Sequence, residues 1–82
     1  MKIWITRDKG CAHGENRVYL WKITKAPKAV KEDGTLMYQD KDAIEHNNVA
    51  CVLVEEFELI FGFKPTLGSC KRFFIPVIRE TS

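Results

Sequence analysis

Two stretches with alternating side chains decide how this chain folds: Lys2-Ile3-Trp4-Ile5-Thr6, and later Arg17-Val18-Tyr19-Leu20-Trp21-Lys22-Ile23. Successive side chains of an extended strand point to opposite faces, so each stretch separates its aliphatic residues from its aromatic ones. Residues 9–16 between them contain two glycines and polar side chains, which predicts an antiparallel hairpin with a long, mobile loop. Pairing the two strands gathers Ile3, Ile5, Val18 and Leu20 in the core. It also gathers Trp4, Tyr19 and Trp21, here called the aromatic triad, on the opposite face.

The middle of the chain carries weaker signals. Residues 24–34 form a lysine-rich, proline-containing connector that ends in the turn signal Asp33-Gly34. A short strand is predicted over 35–39. In the polar segment that follows, Asp40 or Asp42 can cap a single helical turn.

Residues 49–61 allow two interpretations. The β-branched run 49–54 favours a buried strand, and 55–61 suit a short helix because acidic residues in a first turn complement the helix dipole. Gly62 fits the position just after such a helix, and Pro65 follows shortly. One continuous helix from 49 to 61 is the competing interpretation.

The last segment, 71–78, alternates again, with Phe73, Ile75 and Val77 on one face. Pro76 has no backbone N–H to donate, so the strand is predicted at a sheet edge or with a bulge there. The patterns together predict a single α+β domain over residues 1–82. It contains a small antiparallel sheet of about four strands, with the N-terminal hairpin and a C-terminal edge strand, and one short helix. The predicted core residues are Ile5, Leu20, Leu53 and Phe73.

The composition is that of a globular protein, with 45% hydrophobic and 29% charged residues. Its net charge of +2 conceals an uneven distribution: residues 1–31 hold eight bases and two acids, whereas 32–63 hold one base and eight acids. Such blocks predict either internal charge pairing or two oppositely charged faces. Charges follow the first apolar residues at once, and no apolar run is long enough for a bilayer. We therefore expect a cytoplasmic protein without a signal peptide or membrane span.

Several short stretches carry a resemblance to a known group. They are KIWITRDK at 2–9, VYLW at 18–21, KAPK at 25–28, CVLV at 51–54, Phe57, and CKRF at 70–73. In this order they are similar to small uncharacterised proteins from phages and mobile elements of gut bacteria. The loop with Cys11 and His13 is longer here than in that group. The resemblance implies an accessory gene on a mobile element and no catalytic residues.

The cysteines and histidines do not have the spacing that a structural metal site needs, and no catalytic motif is present. Cys11, Cys51 and Cys70 are an odd number without close pairs, which argues against a disulfide framework. With His13 and His46 they supply zinc-ligand types, but the only close pair has a one-residue gap, whereas structural zinc sites use gaps of about two to four. No serine elbow or phosphate-binding glycine loop is present, and the glutamates at 55, 56 and 58 suit a helix N-terminus. We therefore expect no metal, no cofactor, no catalytic residue and no enzymatic activity.

Lysines suggest a nucleic-acid surface. Lys22, Lys25, Lys28 and Lys31, here called the lysine series, recur every three residues without an intervening acid. Beside the aromatic triad they resemble a basic track next to a stacking surface, as in proteins that bind single-stranded nucleic acids. A solvated connector beside a packed aromatic face explains the same pattern. The predicted binding residues are Trp4, Tyr19, Trp21, Lys22, Lys25 and Lys28.

Protein binding is the function that the sequence favours. Aromatic side chains supply anchors and charges supply steering in protein interfaces. The acidic middle of the chain, 32–58, could imitate phosphate and occupy the basic groove of a nucleic-acid enzyme. We expect a non-enzymatic binding or regulatory protein that docks on a host protein, with a homodimer also possible. Single-stranded nucleic-acid binding is the alternative function.

Overall fold

The computed structural model describes residues 2–74, so Ile75, Pro76 and Val77 of the predicted last strand lie outside the described residues. The strands are β1 (Lys2–Thr6), β2 (Arg17–Trp21), β3 (Lys28–Glu32), β4 (Thr35–Gln39), β5 (Val49–Leu53) and β6 (Cys70–Phe74). The helices are α1 (Ala12–Glu15), α2 (Lys41–Glu45) and α3 (Val54–Phe61). Within this range no helix has the length and apolar character needed to cross a membrane.

The strands form two antiparallel sheets. The larger has the order β5-β2-β1-β6, and the smaller is the hairpin β3-β4. The predicted α+β class and the N-terminal hairpin are confirmed, and β6 lies at an edge of the larger sheet as predicted. Strand β3 was not predicted, because the lysines and proline of 24–34 indicate a connector.

The register gives the larger sheet two different faces. Ile5 pairs with Leu20, and Ile3 pairs with Phe73, so aliphatic and aromatic carbons cover one face, here called the helix face. Helix α3 packs there through Val54 and Phe57. The buried core consists of Ile3, Ile5, Val18, Val54 and Phe57, with Leu20, Val52, Phe61 and Phe73 packed against it.

One of the four predicted core residues is wrong. Leu53 is 43% exposed, whereas its neighbour Val52 packs against the core. Val52 pairs with Val18, which places Leu53 on the other face by alternation. Strand β5 also lies at the sheet edge, so the expected buried strand has one side open.

The strand-plus-helix interpretation of 49–61 is confirmed, and the continuous helix is wrong. Leu53 has the extended backbone of an N-cap residue, which separates β5 from α3 without an intervening loop. Gly62 ends the helix with a φ of 82°, and its N–H donates to the Glu58 carbonyl at 2.8 Å. This left-handed conformation strains residues that carry a Cβ, which explains the glycine.

The segment predicted as a mobile loop is structured. It contains α1, and the backbone N–H groups of Lys9 and Leu36 donate to each other's carbonyls at 2.9 and 2.8 Å. Arg7 ties it to the rest of the chain, since Nε donates to the Glu15 carbonyl at 2.8 Å and a terminal guanidinium nitrogen to the Pro65 carbonyl at 2.7 Å. Leu36 and Pro65 are distant from this segment in sequence, so the local composition could not indicate these contacts.

Two local predictions for the middle of the chain are confirmed. Asp33 and Gly34 both have positive φ values, 47° and 81°, which suits the tight turn between β3 and β4. Asp40 caps α2, because its carboxylate accepts from the Ala43 N–H at 2.9 Å.

Buried Asp8 makes the stability of the fold depend on pH. Burial raises the pKa of its carboxyl above the usual value, and the hydrogen bond donated by the Tyr38 N–H partly opposes this rise. The folded state therefore keeps the proton at a pH where the unfolded chain has lost it. Stability falls as pH rises from the unfolded pKa of about 4 through the folded pKa, and stays reduced above it.

We therefore expect Asp8→Asn to unfold at higher urea concentration than the parent protein at pH 7. Asparagine keeps an oxygen acceptor for Tyr38 and carries no charge. Below about pH 4 the advantage should vanish, since the parent carboxyl is then protonated in both states. Urea unfolding curves at both pH values test this. An effect of equal size at both would show that the charge of Asp8 is not its cause.

Candidate functional site

The second face of the larger sheet, here called the aromatic face, carries the aromatic triad. Trp4 and Trp21 are cross-strand partners, and the rings of Tyr19 and Trp21 lie 6.4 Å apart. Trp21 is only 2% exposed, and its Nε1 donates to the Thr6 hydroxyl at 2.8 Å. The ring is enclosed and its polar atom is bonded, so Trp21 offers no surface to a stacking ligand. The other two members of the triad, Trp4 and Tyr19, are half-buried.

Trp4 remains partly open on this face. Its Nε1 donates to the Thr24 carbonyl at 3.3 Å, and the Arg72 guanidinium lies 5.6 Å from the ring centroid. That distance suits a cation–π interaction, which orients the guanidinium over the indole. Together Trp4 and Arg72 form a flat, positively charged surface of the kind on which a base or another aromatic ring can stack.

A shallow basic depression of about 640 Å³ adjoins this pair. Lys2, Lys22, Ile23, Thr24 and Arg72 line it. The exposed Phe74 lies opposite Lys2 in the β1–β6 pairing. Three cationic side chains around one hollow can bind an anion such as a phosphate.

The lysine series does not form one track. Lys22 lines the basic depression, whereas Lys25 lies exposed in the connector before β3. Lys28 and Lys31 are exposed on β3, but residues three apart in a strand point to opposite faces. Of the predicted lysines, only Lys22 lines the basic depression. Sequence reasoning missed Lys2 and Arg72, because only the pairing of β1 with β6 places Arg72 beside Trp4.

Polar and thiol groups gather farther along the aromatic face. Tyr19 pairs with Cys51. Burial, and to a lesser degree the negative charge of Asp8, raise the pKa of the Tyr19 phenol. Arg17 donates from Nε to His13 Nε2 at 3.1 Å, and another guanidinium nitrogen lies 3.9 Å from the Cys51 sulfur. This His13 nitrogen accepts from a cation, so it is not free to act as a base for a thiol.

The cysteines are all free thiols, with Cys51 exposed and the other two half-buried. Across residues 2–74, no group of three or more histidine, cysteine, aspartate or glutamate side chains is placed to hold a metal ion.

Helix α3 exposes apolar side chains that the sequence did not single out. Leu59 is 86% exposed and Ile60 is 70% exposed, on the side of the helix opposite Val54 and Phe57. Glu55 and Glu56 precede them by one turn, so the same side carries two carboxylates. We call these four residues the acidic–apolar face.

Comparison with known proteins adds no family: no protein-family model, no curated protein and no solved structure matches this chain. The basic depression and the acidic–apolar face are the surfaces from which a function is argued below.

Proposed function

We propose that this protein is a non-enzymatic binding protein that docks the acidic–apolar face of α3 on a partner protein. The observation that carries the proposal is the exposure of Leu59, at 86%, beside Ile60, at 70%. Adjacent large apolar side chains on the surface mark interaction sites when they form a patch. The partner that fits is a groove with an apolar floor and a basic rim.

The chemistry of α3 suits this mode of recognition. An amphipathic helix binds a groove by inserting apolar anchors, and α3 offers two neighbouring ones, Leu59 and Ile60. Burying one leucine side chain contributes about 1.5–3 kcal/mol. The glutamates in the first turn, Glu55 and Glu56, would meet basic residues on the rim, which speeds association and fixes the orientation.

The expected partner is a cytoplasmic host protein. The resemblance to proteins of phages and mobile elements supports a host target, and the carboxylates support a basic one. A nucleic-acid enzyme has such a groove, where carboxylates can occupy the positions of phosphates. Docking there would inhibit the enzyme.

The experiment is capture of a partner by immobilised protein from a nuclease-treated bacterial lysate. We expect Leu59→Ser to weaken retention of the captured protein by roughly tenfold or more, since a buried leucine anchor is lost. Glu56→Lys should weaken it as well, mainly at low salt. Arg72→Ala is the matched control, because it removes an exposed side chain from the other face of the sheet. A captured protein that Leu59→Ser retains as well as the parent would contradict the proposal.

Single-stranded nucleic-acid binding is the second candidate, favoured by one observation. Arg72 lies over Trp4, and Lys2 and Lys22 complete a basic hollow beside it. In the same experiment this function predicts the opposite pattern. Binding would be lost on nuclease treatment, fall steeply with salt, and depend on Arg72 but not on Leu59.

A further inference from the structure

Strand β5 ends the larger sheet with unpaired backbone groups. The Lys22 N–H donates to the Asn48 carbonyl at 2.7 Å, and the Val54 N–H donates to the Asn16 carbonyl at 2.9 Å. These bonds lie at the two ends of the β2–β5 pairing. Hydrogen-bonded and non-bonded pairs alternate along an antiparallel ladder. Ala50 and Val52 therefore bond to β2, and the backbone groups of Val49, Cys51 and Leu53 point away from the sheet.

Nothing among residues 2–74 covers this edge. Ala50, Cys51 and Leu53 are all exposed. Of the backbone hydrogen bonds formed outside helices and strands, none within residues 2–74 uses the N–H of Val49, Cys51 or Leu53. A strand with open N–H and C=O groups is a template for another strand.

The composition of this edge indicates its partner. Protein sheets usually protect exposed edges with charged residues or proline. Strand β6 at the opposite edge carries Lys71 and Arg72, and β3 carries Lys28, Lys31 and Glu32. Strand β5 is Val-Ala-Cys-Val-Leu, without a charge or proline. Two copies of such a strand bring no like charges of their own together, whereas two copies of β6 would. The charge nearest to Cys51 is that of Arg17 on the neighbouring strand, 3.9 Å from its sulfur.

We infer that β5 binds a second copy of this chain by antiparallel pairing with the partner's β5. The two-fold axis passes at Cys51, which then faces the partner's Cys51, while Val49 faces the partner's Leu53. This register uses the outward groups of Val49 and Cys51 and the N–H of Leu53, whose carbonyl belongs to the N-cap of α3. The two sheets join into one sheet of eight strands. The dimer goes beyond the proposed function and does not depend on it, because Leu59 and Ile60 lie outside the paired strand.

Sedimentation over a concentration series tests the dimer, with Cys51→Lys against Cys51→Ser. We expect the parent and Cys51→Ser to reach twice the 9.5 kDa mass of one chain. Cys51→Lys places two like charges opposite each other and should raise the dissociation constant by up to about fivefold. A thermal melt of Cys51→Lys checks that this exposed substitution leaves the fold intact. Leu59→Ser, which disrupts the proposed docking face, should dimerise like the parent.

Oxidation with diamide tests the register. Directly opposed residues in a hydrogen-bonded pair have Cα atoms about 5.5 Å apart, within the range for a disulfide. Two Cys51 thiols then form one S–S bond, and diamide takes up the two electrons and two protons. We expect a covalent dimer from the parent and none from Cys51→Ser. A parent that stays monomeric throughout the series, equal dimerisation of the lysine variant, or crosslinking of Cys51→Ser would overturn the inference.

Discussion

Replacing Phe57 by alanine is expected to lower the free energy of unfolding by about 3–5 kcal/mol. Phe57 is fully buried, stacks on Phe61 with ring centroids 4.5 Å apart, and meets the edge of Phe63 at 5.2 Å. Its ring joins α3 to the helix face of the sheet, and alanine would leave a cavity there. A domain of this length has a total stability of about 4–12 kcal/mol. The expected loss is therefore about a quarter or more of the total stability.

Leu59→Ala is the matched control, because it removes a large apolar side chain from the same helix. Leu59 is 86% exposed, so its loss should change stability by no more than about 0.5 kcal/mol. Urea unfolding followed by far-ultraviolet circular dichroism gives both values. Equal shifts for the two variants would mean that α3 does not bury the face described.

Trp21→Ala is expected to cost a similar amount, about 3–5 kcal/mol. The indole is buried and its N–H is bonded to Thr6, which is also buried. Trp21→Phe keeps most of the ring but leaves the Thr6 hydroxyl without its donor, at a cost of about 1–3 kcal/mol. Adding Thr6→Val to Trp21→Phe should recover part of that loss, because neither polar partner then remains.

Urea unfolding of the single and double variants measures this coupling. Additive losses would show that the Trp21–Thr6 bond contributes nothing. The expected loss also bears on function, since a Trp21 variant that fails to bind is explained by unfolding. Trp4, half-buried beside Arg72, is the residue whose substitution tests the basic surface.

Local signals were sufficient for several elements of the fold. The alternation of side chains in 2–6 and 17–21 predicted the N-terminal hairpin and which residues share each of its faces. Asp33-Gly34 marked the turn between β3 and β4, where both residues have positive φ values, and Asp40 marked a helix start through its side-chain acceptor. Gly62 marked the end of α3. For the turn and the two helix ends, the deciding interaction lies within a few residues of the signal.

The candidate surfaces were only partly predictable. Trp4 and Lys22 were identified from the sequence and lie at or beside the basic depression. Lys2 and Arg72 were not, because their proximity requires the pairing of the first strand with the last. Leu59 and Ile60 belong to a predicted helix, but a short helix with five apolar residues among eight does not reveal which side is buried.

The sequence by itself determined the strand periods, the turns, the helix ends and the division of the hairpin into two faces. Only the tertiary structure decided that Trp21 is buried, that Leu53 is exposed, and that residues 9–16 are tied down by Arg7 and Leu36. The physical reason is that the two-residue alternation of a strand indicates which side chains share a face, whereas their burial depends on what covers that face. Those covering groups come from distant parts of the chain, and their position is fixed by packing and by long-range hydrogen bonds.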